Sequence, residues 1–375
     1  MKLLFVGSVF HQHIYNFSKE LKLLDQEIYA FDLSGSSSKT PEVDPFIKIW
    51  QRPKGIGVKL VDFFIKSLGT FYKFYKINDG IDVVQFHYLD KYYTLPLAIL
   101  SKVKGYKVSC FVYGSDFLRS GKLMKKLLHI IFDLSDSIVC DSVVLHKKLK
   151  EFSPHNLEKF EIINFGSIVI DDLEVMRKEK EDFLFGKDCR LNIMCGYNGY
   201  SAQNHLKIFD ALLPYKDKIR LVIPMTYGKD LNYITKVKHF LDSNHFLYEL
   251  LTDFIPDKQW ENILIETDVF IHMQDSDSFS SALAEHLFLG HVVINAEWLK
   301  YDELDTNRIY FIKATFENLT SRFDNLLDNY EDEKNKHSVN AQKIYKMKSL
   351  SYCCGKYWVP YFRKMGVSQK NNSNR

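Results

Sequence analysis

One segment in the second half of the chain places a polar turn and a helical stretch between two apolar runs. It reads Asp268-Val-Phe-Ile-His272, then Asp275-Ser-Asp-Ser-Phe-Ser-Ser-Ala-Leu-Ala-Glu285, then Gly290-His-Val-Val-Ile294. Apolar runs of this length joined by a helix are typical of strand–helix–strand units in parallel sheets. Ser276 or Ser278 is expected to cap the helix, whose first N–H groups would attract an anion such as phosphate.

The same alternation of short apolar runs and helical stretches continues along the whole chain. In the first half, the predicted strands are Lys2–Val6, Glu27–Phe31, Asp82–Phe86, Lys107–Val112 and Ser137–Cys140. In the second half, they are Arg190–Cys195, Arg220–Ile223, Phe246–Leu250, Val269–His272, Val292–Asn295 and Tyr310–Ile312. This pattern predicts an α/β protein with two doubly wound, Rossmann-like parallel sheets.

The length of 375 residues favours two domains, because one core rarely serves a chain of this size. We predict an N-terminal domain over residues 1–170 and a C-terminal domain over 186–340. A helical tail over 341–369 is expected to pack back on the first domain, and residues 370–375 are expected to be disordered.

The net charge of +3 conceals a strong asymmetry along the chain. Residues 1–150 contain 22 Lys and Arg against 14 Asp and Glu, and residues 343–375 contain 8 against none, so each segment has a net charge of +8. The residues between them have a net charge of −13. A basic first half and tail indicate an anionic partner, such as a membrane surface or a phosphorylated acceptor.

Several classes of protein are disfavoured by what the sequence lacks. The six cysteines have no regular spacing and fall mostly in apolar runs, so reduced thiols in a cytoplasmic protein are expected. The first apolar run is too short for a signal peptide, and no run approaches the length of a spanning helix. The turn after the first predicted strand, Gly7-Ser-Val-Phe-His-Gln-His13, lacks the dinucleotide-binding glycine pattern, and no Walker-type loop is present.

The segment from Asp277 to Glu285 resembles the Glu-x7-Glu signature of family 4 of the nucleotide-sugar-dependent glycosyltransferases. Asp277 stands in the place of the first Glu, Phe279 matches the aromatic residue, Ser280 replaces a Gly, and Glu285 matches the second Glu. The resemblance implies the GT-B architecture, in which two Rossmann-like domains face each other across a cleft. It also implies that Glu285 binds the ribose of the donor and that Asp277 lies near the transferred sugar.

The second half contains further candidates for the donor side. A glycine turn, Gly196-Tyr-Asn-Gly199, lies between a strand and a helix, where backbone N–H groups could approach a diphosphate. The resembled family places Arg and Lys at this site, whereas this chain has Asn198, Gln203 and His205 there, and Lys229 could supply a substitute charge. The full donor-side set is Glu285, Phe279, Ser280, Ser281, Gly196, Asn198, Gly199, Gln203, His205, Tyr227 and Lys229.

The acceptor side is expected in the first half, where polar residues follow predicted strands at the edge used for ligands in open parallel sheets. The turn Tyr113-Gly-Ser-Asp116 resembles a His- or Trp-Gly-Ser-Asp turn of polysaccharide-building members of the family. His87 and Asp116 join Asp277 as catalytic candidates, although His87 could equally be a hydrogen-bonded core histidine. The remaining acceptor-side candidates are Gly7, His11, Tyr113, Gly114 and Ser115.

Two lysine-rich segments bear on possible partners. Lys54–Lys76 and Lys122–His129 interleave lysines with apolar and aromatic residues, as membrane-surface helices do. The alternative is that the apolar residues face the core and the lysines face water. The acidic second half and the lack of a recognition motif argue against nucleic acid as a partner.

These observations predict a cytoplasmic glycosyltransferase that moves a sugar from a nucleotide diphosphate to a hydroxyl of a glycan, with a lipid-linked polysaccharide intermediate as the favoured acceptor. Retention of configuration is implied by the family-4 resemblance, and no metal or other cofactor is expected. Short segments, among them Ile223-Pro-Met-Thr-Tyr-Gly228, also resemble transferases of 4-acetamido-4,6-dideoxygalactose. The alternatives are an inverting transferase, a sugar-nucleotide epimerase, or a non-catalytic glycan-binding subunit.

Overall fold

The computed structural model describes residues 1–34, 45–51, 59–89, 93–180, 190–228, 230–277 and 279–370. The chain forms two compact units, one comprising Met1–Ile168 with Leu350–Arg375 and the other comprising Val169–Ser349. The chain therefore returns to the first unit at Leu350, nine residues after the predicted start of the tail. The predicted disorder of residues 370–375 lies outside the described residues, except at Lys370, which ends the last helix.

The first unit contains a sheet of parallel strands in the order β3-β2-β1-β4-β5-β6-β7. Its strands are β1 Lys2–Gly7, β2 Glu27–Asp32, β3 Lys48–Gln51, β4 Val83–His87, β5 Lys107–Val112, β6 Ser137–Cys140 and β7 Phe160–Ile162. Both edge strands, β3 and β7, are absent from the sequence prediction, because they are short and only partly buried. The strand order reverses between β1 and β4, which creates the switch point where ligands bind in such sheets.

Helices cover both faces of the first sheet, and two short helical turns lie at Pro154–Lys159 and Cys354–Trp358. The helices of the first half are α1 Gln12–Leu23, α2 Lys59–Tyr75, α3 Thr94–Val103, α4 Ser115–Leu118, α5 Lys122–Leu134, α6 Val143–Phe152 and α7 Ile168–Lys180, the last of which leads into the second unit.

Alternate residues of each strand face opposite sides of the sheet, so the first unit has two apolar cores. Leu4 and Val6 of β1 face the core beneath α2, α3, α5 and α6. Leu3 and Phe5 face the second core, which contains α1 and residues of the chain after Leu350, with Trp358 fully buried.

The second unit contains a parallel sheet in the order β10-β9-β8-β11-β12-β13. Its strands are β8 Leu191–Cys195, β9 Ile219–Pro224, β10 Tyr248–Leu251, β11 Val269–His272, β12 Val292–Ala296 and β13 Ile312–Ala314. Every predicted strand is present, with ends within about two residues of the prediction. The prediction of two doubly wound parallel sheets is therefore confirmed, and the switch point of the second sheet lies between β8 and β11.

The remaining helices follow the strands of the second unit and then return to the first. They are α8 His205–Leu212, α9 Leu231–Ser243, α10 Asp257–Glu266, α11 Ser281–Leu289, α12 Asp302–Thr306, α13 Leu319–Asp328, α14 Tyr330–Ser338, α15 Asn340–Lys348, α16 Leu350–Cys353 and α17 Val359–Lys370. Short helical turns occur at Ser201–Gln203 and Leu213–Tyr215. Helix α15 packs against α11, so the first part of the predicted tail belongs to the second unit.

The cysteines behave as core residues wherever they are described. Cys110, Cys140, Cys195, Cys353 and Cys354 are buried thiols that form no disulfide with one another. Cys189 lies outside the described residues. Burial raises the pKa of the Cys110 thiol to about 12, because the low-dielectric interior disfavours the thiolate.

Candidate functional site

The turn after β8 depends on a glycine at position 196. Gly196 has a φ of +63°, and a Cβ at this position would lie 2.7 Å from Nε2 of His205 and 2.8 Å from Oε1 of Gln203. Both the backbone conformation and the close approach therefore exclude a larger residue. Oε1 of Gln203 also accepts a hydrogen bond of 3.3 Å from the N–H of Tyr197, which holds the turn in place.

Gln203 and His205 lie beneath this turn and not at its surface. His205 is fully buried, and its backbone N–H donates to the hydroxyl of Tyr233 over 3.1 Å. Burial lowers the pKa of His205 to about 4, so the ring is neutral at pH 7. Gln203 is 3% exposed and donates to Gln274 over 2.5 Å. Their contact with a donor diphosphate remains a prediction, whereas their support of the turn is observed.

The second glycine of the turn packs against the loop after β9. The N–H of Gly199 donates to the carbonyl of Tyr227 over 2.9 Å, and a Cβ on Gly199 would lie 3.0 Å from the carbonyl oxygen of Gly228. Oδ1 of Asn198 accepts from the N–H of Tyr200 over 3.0 Å. Tyr227 is 53% exposed at this edge of the sheet. Lys229 lies outside the described residues.

Helix α11 begins differently from the prediction. Ser280 is the N-cap, and its hydroxyl accepts from the N–H of Leu283 over 3.4 Å, so the prediction that Ser276 caps the helix is wrong. Ser278 lies outside the described residues. The apolar run of the helix begins only at Ala282, which allows the polar turn to extend to Ser280. Ser281, the first helical residue, is exposed.

Asp277 is anchored by groups around the start of α11. Its Oδ2 accepts hydrogen bonds from the N–H of Ser280 over 3.0 Å and from the hydroxyl of Tyr301 over 2.9 Å. Nε2 of His272 lies 3.8 Å from the same oxygen, and Nδ1 of that ring is 2.9 Å from Oδ1 of Asn295. Burial lowers the pKa of His272, which favours a neutral ring. The carboxylate of Asp277 is therefore held in one orientation at the end of β11.

Phe279 has an unusual backbone conformation for a bulky residue. Its φ is +65°, in the left-handed region that Gly and Asn normally occupy. Its ring lies 4.4 Å from Nζ of Lys348 and 6.0 Å from the ring of Tyr301. Strained backbone of this kind persists only where surrounding contacts hold it, and it concentrates at functional sites.

Glu285 lies on the buried side of α11. The residue is 5% exposed, and one carboxylate oxygen accepts from Nε1 of Trp260 over 3.4 Å. Burial raises the pKa of Glu285 to about 7, because few donors compensate the charge. Glu285 is therefore not on a solvent-facing side of an amphipathic helix but is a buried acceptor in need of hydrogen-bond donors.

The structure links the two loops at the switch point of the second sheet. The N–H of Asp275 donates to the carbonyl of Ala202 over 2.9 Å, and the hydroxyl of Tyr197 donates to Oε1 of Gln274 over 3.2 Å. The glycine turn, the carboxylate of Asp277 and the start of α11 thus share one edge of the sheet. Such an edge offers N–H donors to an anion and carboxylates to hydroxyl groups.

In the first unit, His87 ends β4 and lies against Gly7 of β1. A Cβ on Gly7 would lie 2.5 Å from the carbonyl oxygen of His87. The His87 ring is buried, contacts Phe5 edge to face, and has Nδ1 2.8 Å from the hydroxyl of Tyr113. Burial lowers the pKa of His87 to about 3. These surroundings are those of a hydrogen-bonded core histidine, and a catalytic role remains a prediction.

Aromatic rings gather beside this position. The rings of Tyr88 and Tyr113 are stacked with centroids 4.4 Å apart, and His11 approaches Tyr88 at 5.5 Å. Tyr88 has a φ of +57°, a second strained non-glycine residue at the end of a strand. The sequence analysis missed Tyr88, although its place directly after β4 at the switch point could have indicated it.

A cavity of about 420 Å³ opens next to these rings. Gly114, with a φ of +91°, precedes helix α4, which places Ser115 and Asp116 at the wall of the cavity. Oδ2 of Asp116 accepts from the N–H of Leu89 over 3.2 Å, and the residue is 3% exposed. The cavity is lined by Tyr88, Ser115, Asp116, Arg119, Ser120, Gly121 and Met124. Arg119 is not among the residues predicted from the sequence, because a lone arginine after a short turn has no distinguishing pattern.

The described residues contain neither a cluster of metal-ligating side chains nor a helix that could span a membrane. In the described parts of the chain, no three His, Cys, Asp or Glu side chains converge so as to hold a metal ion. Within the same parts, no helix combines the length and the apolar character that crossing a bilayer requires.

Comparison with known proteins identifies the fold. No protein-family model and no curated protein matches the sequence. A glycosyltransferase from Rickettsia africae ESF-5 has a TM-score of 0.70 and 15% identity, with 97% of this chain and 98% of that chain covered. Anabaena Alr3699/HepE, solved in complex with UDP, has a TM-score of 0.69 and 11% identity, with 96% and 99% covered.

A third structure extends the likeness to sugar-phosphate synthases. The UDP-forming α,α-trehalose-phosphate synthase from Burkholderia xenovorans has a TM-score of 0.63 and 9% identity, with 97% of this chain and 99% of that chain covered. Coverage of both sheets in all three cases shows that the fold is GT-B, as the resemblance implied. Identities this low establish the fold alone.

Proposed function

We propose that this protein is a glycosyltransferase that uses a nucleotide-diphosphate sugar. The observation that carries this proposal is the buried carboxylate of Glu285 on a helix whose capped start lies beside Asp277 and the glycine turn at Gly196. A buried carboxylate short of donors suits the two hydroxyls of a ribose, and the helix start suits a diphosphate. Structures of this fold solved with UDP and with UDP-glucose support this type of donor.

The proposed reaction exchanges one oxygen for another at the anomeric carbon of the sugar. The bond from that carbon to the diphosphate breaks, a bond to the acceptor hydroxyl forms, and the hydroxyl proton passes to the departing diphosphate. The positive end of α11 and the N–H groups of the glycine turn stabilise the charge that develops on the diphosphate. Asp277, fixed by Tyr301 and Ser280, orients the sugar, and we expect retention of its configuration.

The acceptor is proposed to be a hydroxyl of a lipid-linked glycan, bound by the first unit. The cavity beside Tyr88 offers an aromatic face, the carboxylate of Asp116 and the guanidinium of Arg119. Sugars bind well to this combination, because their C–H faces pack on aromatic rings while their hydroxyls bond to charged groups. The protein would then work on the cytoplasmic face of a membrane, without a bound cofactor or an essential metal.

A screen of nucleotide sugars for thermal stabilisation tests the donor assignment. A donor present at a hundred times its Kd should stabilise the protein by about 2.7 kcal/mol. The hit is then titrated by calorimetry into the wild type, into Glu285→Ala, and into Glu297→Ala as a control on an exposed glutamate of the same unit. We expect loss of binding only in Glu285→Ala. Equal affinity in all three would remove Glu285 from the donor site.

Product analysis separates the proposal from its rivals. The anomeric proton signal in NMR distinguishes retention from inversion, and release of an isomerised nucleotide sugar without an acceptor would indicate an epimerase. Tight donor binding with neither transfer nor hydrolysis would indicate a non-catalytic subunit. Activity that persists in a chelator would support metal independence, whereas its loss and recovery with Mg²⁺ would contradict it.

A further inference from the structure

We propose that one face of the first unit docks on the surface of an anionic lipid bilayer. This face, here called the outer face, is the exposed side of helices α3 and α5 and of the end of α2 from Leu68 onward. The inference goes beyond the proposed chemistry, because it concerns only the first unit and would hold for any acceptor. It rests on exposed apolar residues, on unpaired lysines and on their arrangement on neighbouring helices.

Helix α5 has two apolar stripes, and only one of them packs against the sheet. Leu128, Ile131 and Phe132 are buried against the sheet. On the other side, Leu123 is 73% exposed and Ile130 is 45% exposed. A helix that packs against a sheet normally presents polar residues on the side that faces water. The second stripe therefore indicates a further apolar environment.

The neighbouring helices extend this apolar surface. Helix α3 packs beside α5 and exposes Ile99 and Val103, the latter at 75%. Helix α2 packs beside α3 and exposes Tyr72 at 63% and Tyr75 at 59%. Tyrosines are common at the level of lipid headgroups, because the ring is apolar and the hydroxyl stays in water.

Lysines accompany the apolar residues, either on the same helices or directly after them. Lys122 and Lys126 are exposed, and neither forms an ion pair with a described residue. Nζ of Lys76 lies 5.5 Å from the ring centroid of Tyr72, and Nζ of Lys104 lies 5.2 Å from that of Tyr75. This interleaving of ammonium groups with exposed rings and aliphatic side chains matches the headgroup region of an anionic membrane.

The described carboxylates at and just after the end of α5 are already engaged. Asp136 forms ion pairs with Lys102 and Lys107 at 2.8 and 3.3 Å. Asp133, near the end of α5, accepts a hydrogen bond of 2.6 Å from Asn156. The excess of positive charge therefore remains available to anionic lipids. An apolar stripe between lysines favours a bilayer over nucleic acid, whose phosphates would gain nothing from Leu123 and Ile130.

Sedimentation with lipid vesicles tests the inference on the full chain. We expect binding to vesicles of phosphatidylcholine mixed with phosphatidylglycerol, and little binding to phosphatidylcholine alone. Raising the ionic strength from about 0.1 M to about 1 M should release the protein, because the Debye length falls from about 10 Å to about 3 Å. Equal binding to both kinds of vesicle would contradict the role of the lysines.

Two pairs of substitutions separate the charges from the apolar stripe. The double variant Lys122→Gln with Lys126→Gln should bind vesicles about thirtyfold more weakly, because each lysine near an anionic surface is attracted to the lipid headgroups. Leu123→Ser with Ile130→Ser should weaken it at least about tenfold. All four residues are exposed or partly exposed, so thermal stability should be unchanged.

Two matched control variants alter exposed residues of the second unit. One replaces two lysines, Lys236→Gln with Lys346→Gln, and the other replaces two apolar residues, Leu231→Ser with Phe254→Ser. These should leave vesicle binding intact. Self-association of the wild type that disappears in the Leu123 variant would overturn the proposal in favour of a second copy of the chain. Donor binding by calorimetry is independent of vesicle binding, so failure of either hypothesis is recognised separately.

Discussion

At the scale of single residues, Glu285 is the side chain whose burial has the largest consequence. A carboxylate with one donor at 3.4 Å is costly in the folded protein, and the cost rises with pH as the group ionises. Ribose hydroxyls would supply the missing donors. Burial of the ionised Glu285 therefore lowers the stability of the unbound protein, and donor binding at the proposed site would remove this cost.

Replacing Glu285 with Gln should stabilise the protein while weakening the donor. The folded-state pKa of Glu285 is about 7, above the unfolded value of about 4.5, so the wild type loses stability as pH rises between these values. Glu285→Gln should remove this slope, with a gain of roughly 3 kcal/mol at pH 8 and none at pH 4. Denaturant unfolding of both proteins at several pH values measures this difference in stability.

The same variant predicts the pH dependence of donor binding. Wild-type affinity for a nucleotide sugar should rise with pH through about 7, because the ionised carboxylate is the stronger acceptor. Glu285→Gln should bind about tenfold or more weakly, with a flat pH profile. Parallel profiles for the two proteins would show that another group controls binding.

Gly196 allows a second test at the residue scale. Gly196→Ala should cost the left-handed backbone penalty of about 1 kcal/mol and an additional penalty from the contacts with His205 and Gln203. Gly105→Ala is the matched control, because its φ is +77° and no atom lies within 4 Å of the added Cβ. Unfolding free energies should therefore fall further for Gly196→Ala. Equal losses would mean that the turn relaxes freely.

At the scale of elements, the start of α11 connects the fold with the proposed donor site. Ser280 caps the helix, Asp277 accepts the N–H of Ser280, and Phe279 between them adopts a left-handed conformation. The turn therefore fixes both the direction of the helix dipole and the position of a carboxylate. Loss of the cap should affect both.

Ser280→Ala should lower stability by about 1 kcal/mol and also weaken donor binding. Ser142, which caps α6 through a bond of the same length, 3.4 Å, is the matched control in the first unit. Ser142→Ala should cost similar stability and leave donor affinity unchanged. Calorimetry with a nucleotide sugar compares the donor affinities of the two variants. Unchanged donor affinity in Ser280→Ala would show that the cap does not support the donor site.

At the scale of the whole molecule, the chain completes its first unit only after finishing the second. Residues from Leu350 onward cover one face of the first sheet. Nε1 of Trp358 donates to the carbonyl of Asn164 over 3.1 Å, and the hydroxyls of Ser109 and Tyr361 are 2.7 Å apart. The first unit therefore depends on residues that follow the whole second unit along the chain.

Trp358→Ala should destabilise the first unit by about 3–5 kcal/mol, because it removes a fully buried ring and leaves a cavity. The neighbouring Tyr357 is 39% exposed, so Tyr357→Ala should cost under about 1 kcal/mol. Hydrogen exchange resolved along the chain should show faster exchange in β1, β4 and β5 only for Trp358→Ala. Faster exchange throughout β8–β13 as well would mean that the units unfold together.

The sequence by itself determined the two parallel sheets, because a strand buried on both faces must be a continuous apolar run wherever it occurs. It missed the edge strands Lys48–Gln51 and Phe160–Ile162, which are too short and exposed to form such runs. It also singled out Asp277, Glu285 and the glycine turn as donor-side candidates, since each lies in a loop after a strand or on the helix that follows. Their contact with a donor remains a prediction.

Only the tertiary structure decided which side chains are available. The periodicity of a sequence does not show whether a segment distant in sequence covers one face of a helix. It therefore left open whether Glu285 is exposed to solvent and whether His205 faces a ligand. It also left open whether α5 has one apolar stripe or two. The fold buries Glu285 and His205 and exposes Leu123. Burial depends on contacts between distant segments, and it sets both the pKa of Glu285 and the surface that partners can reach.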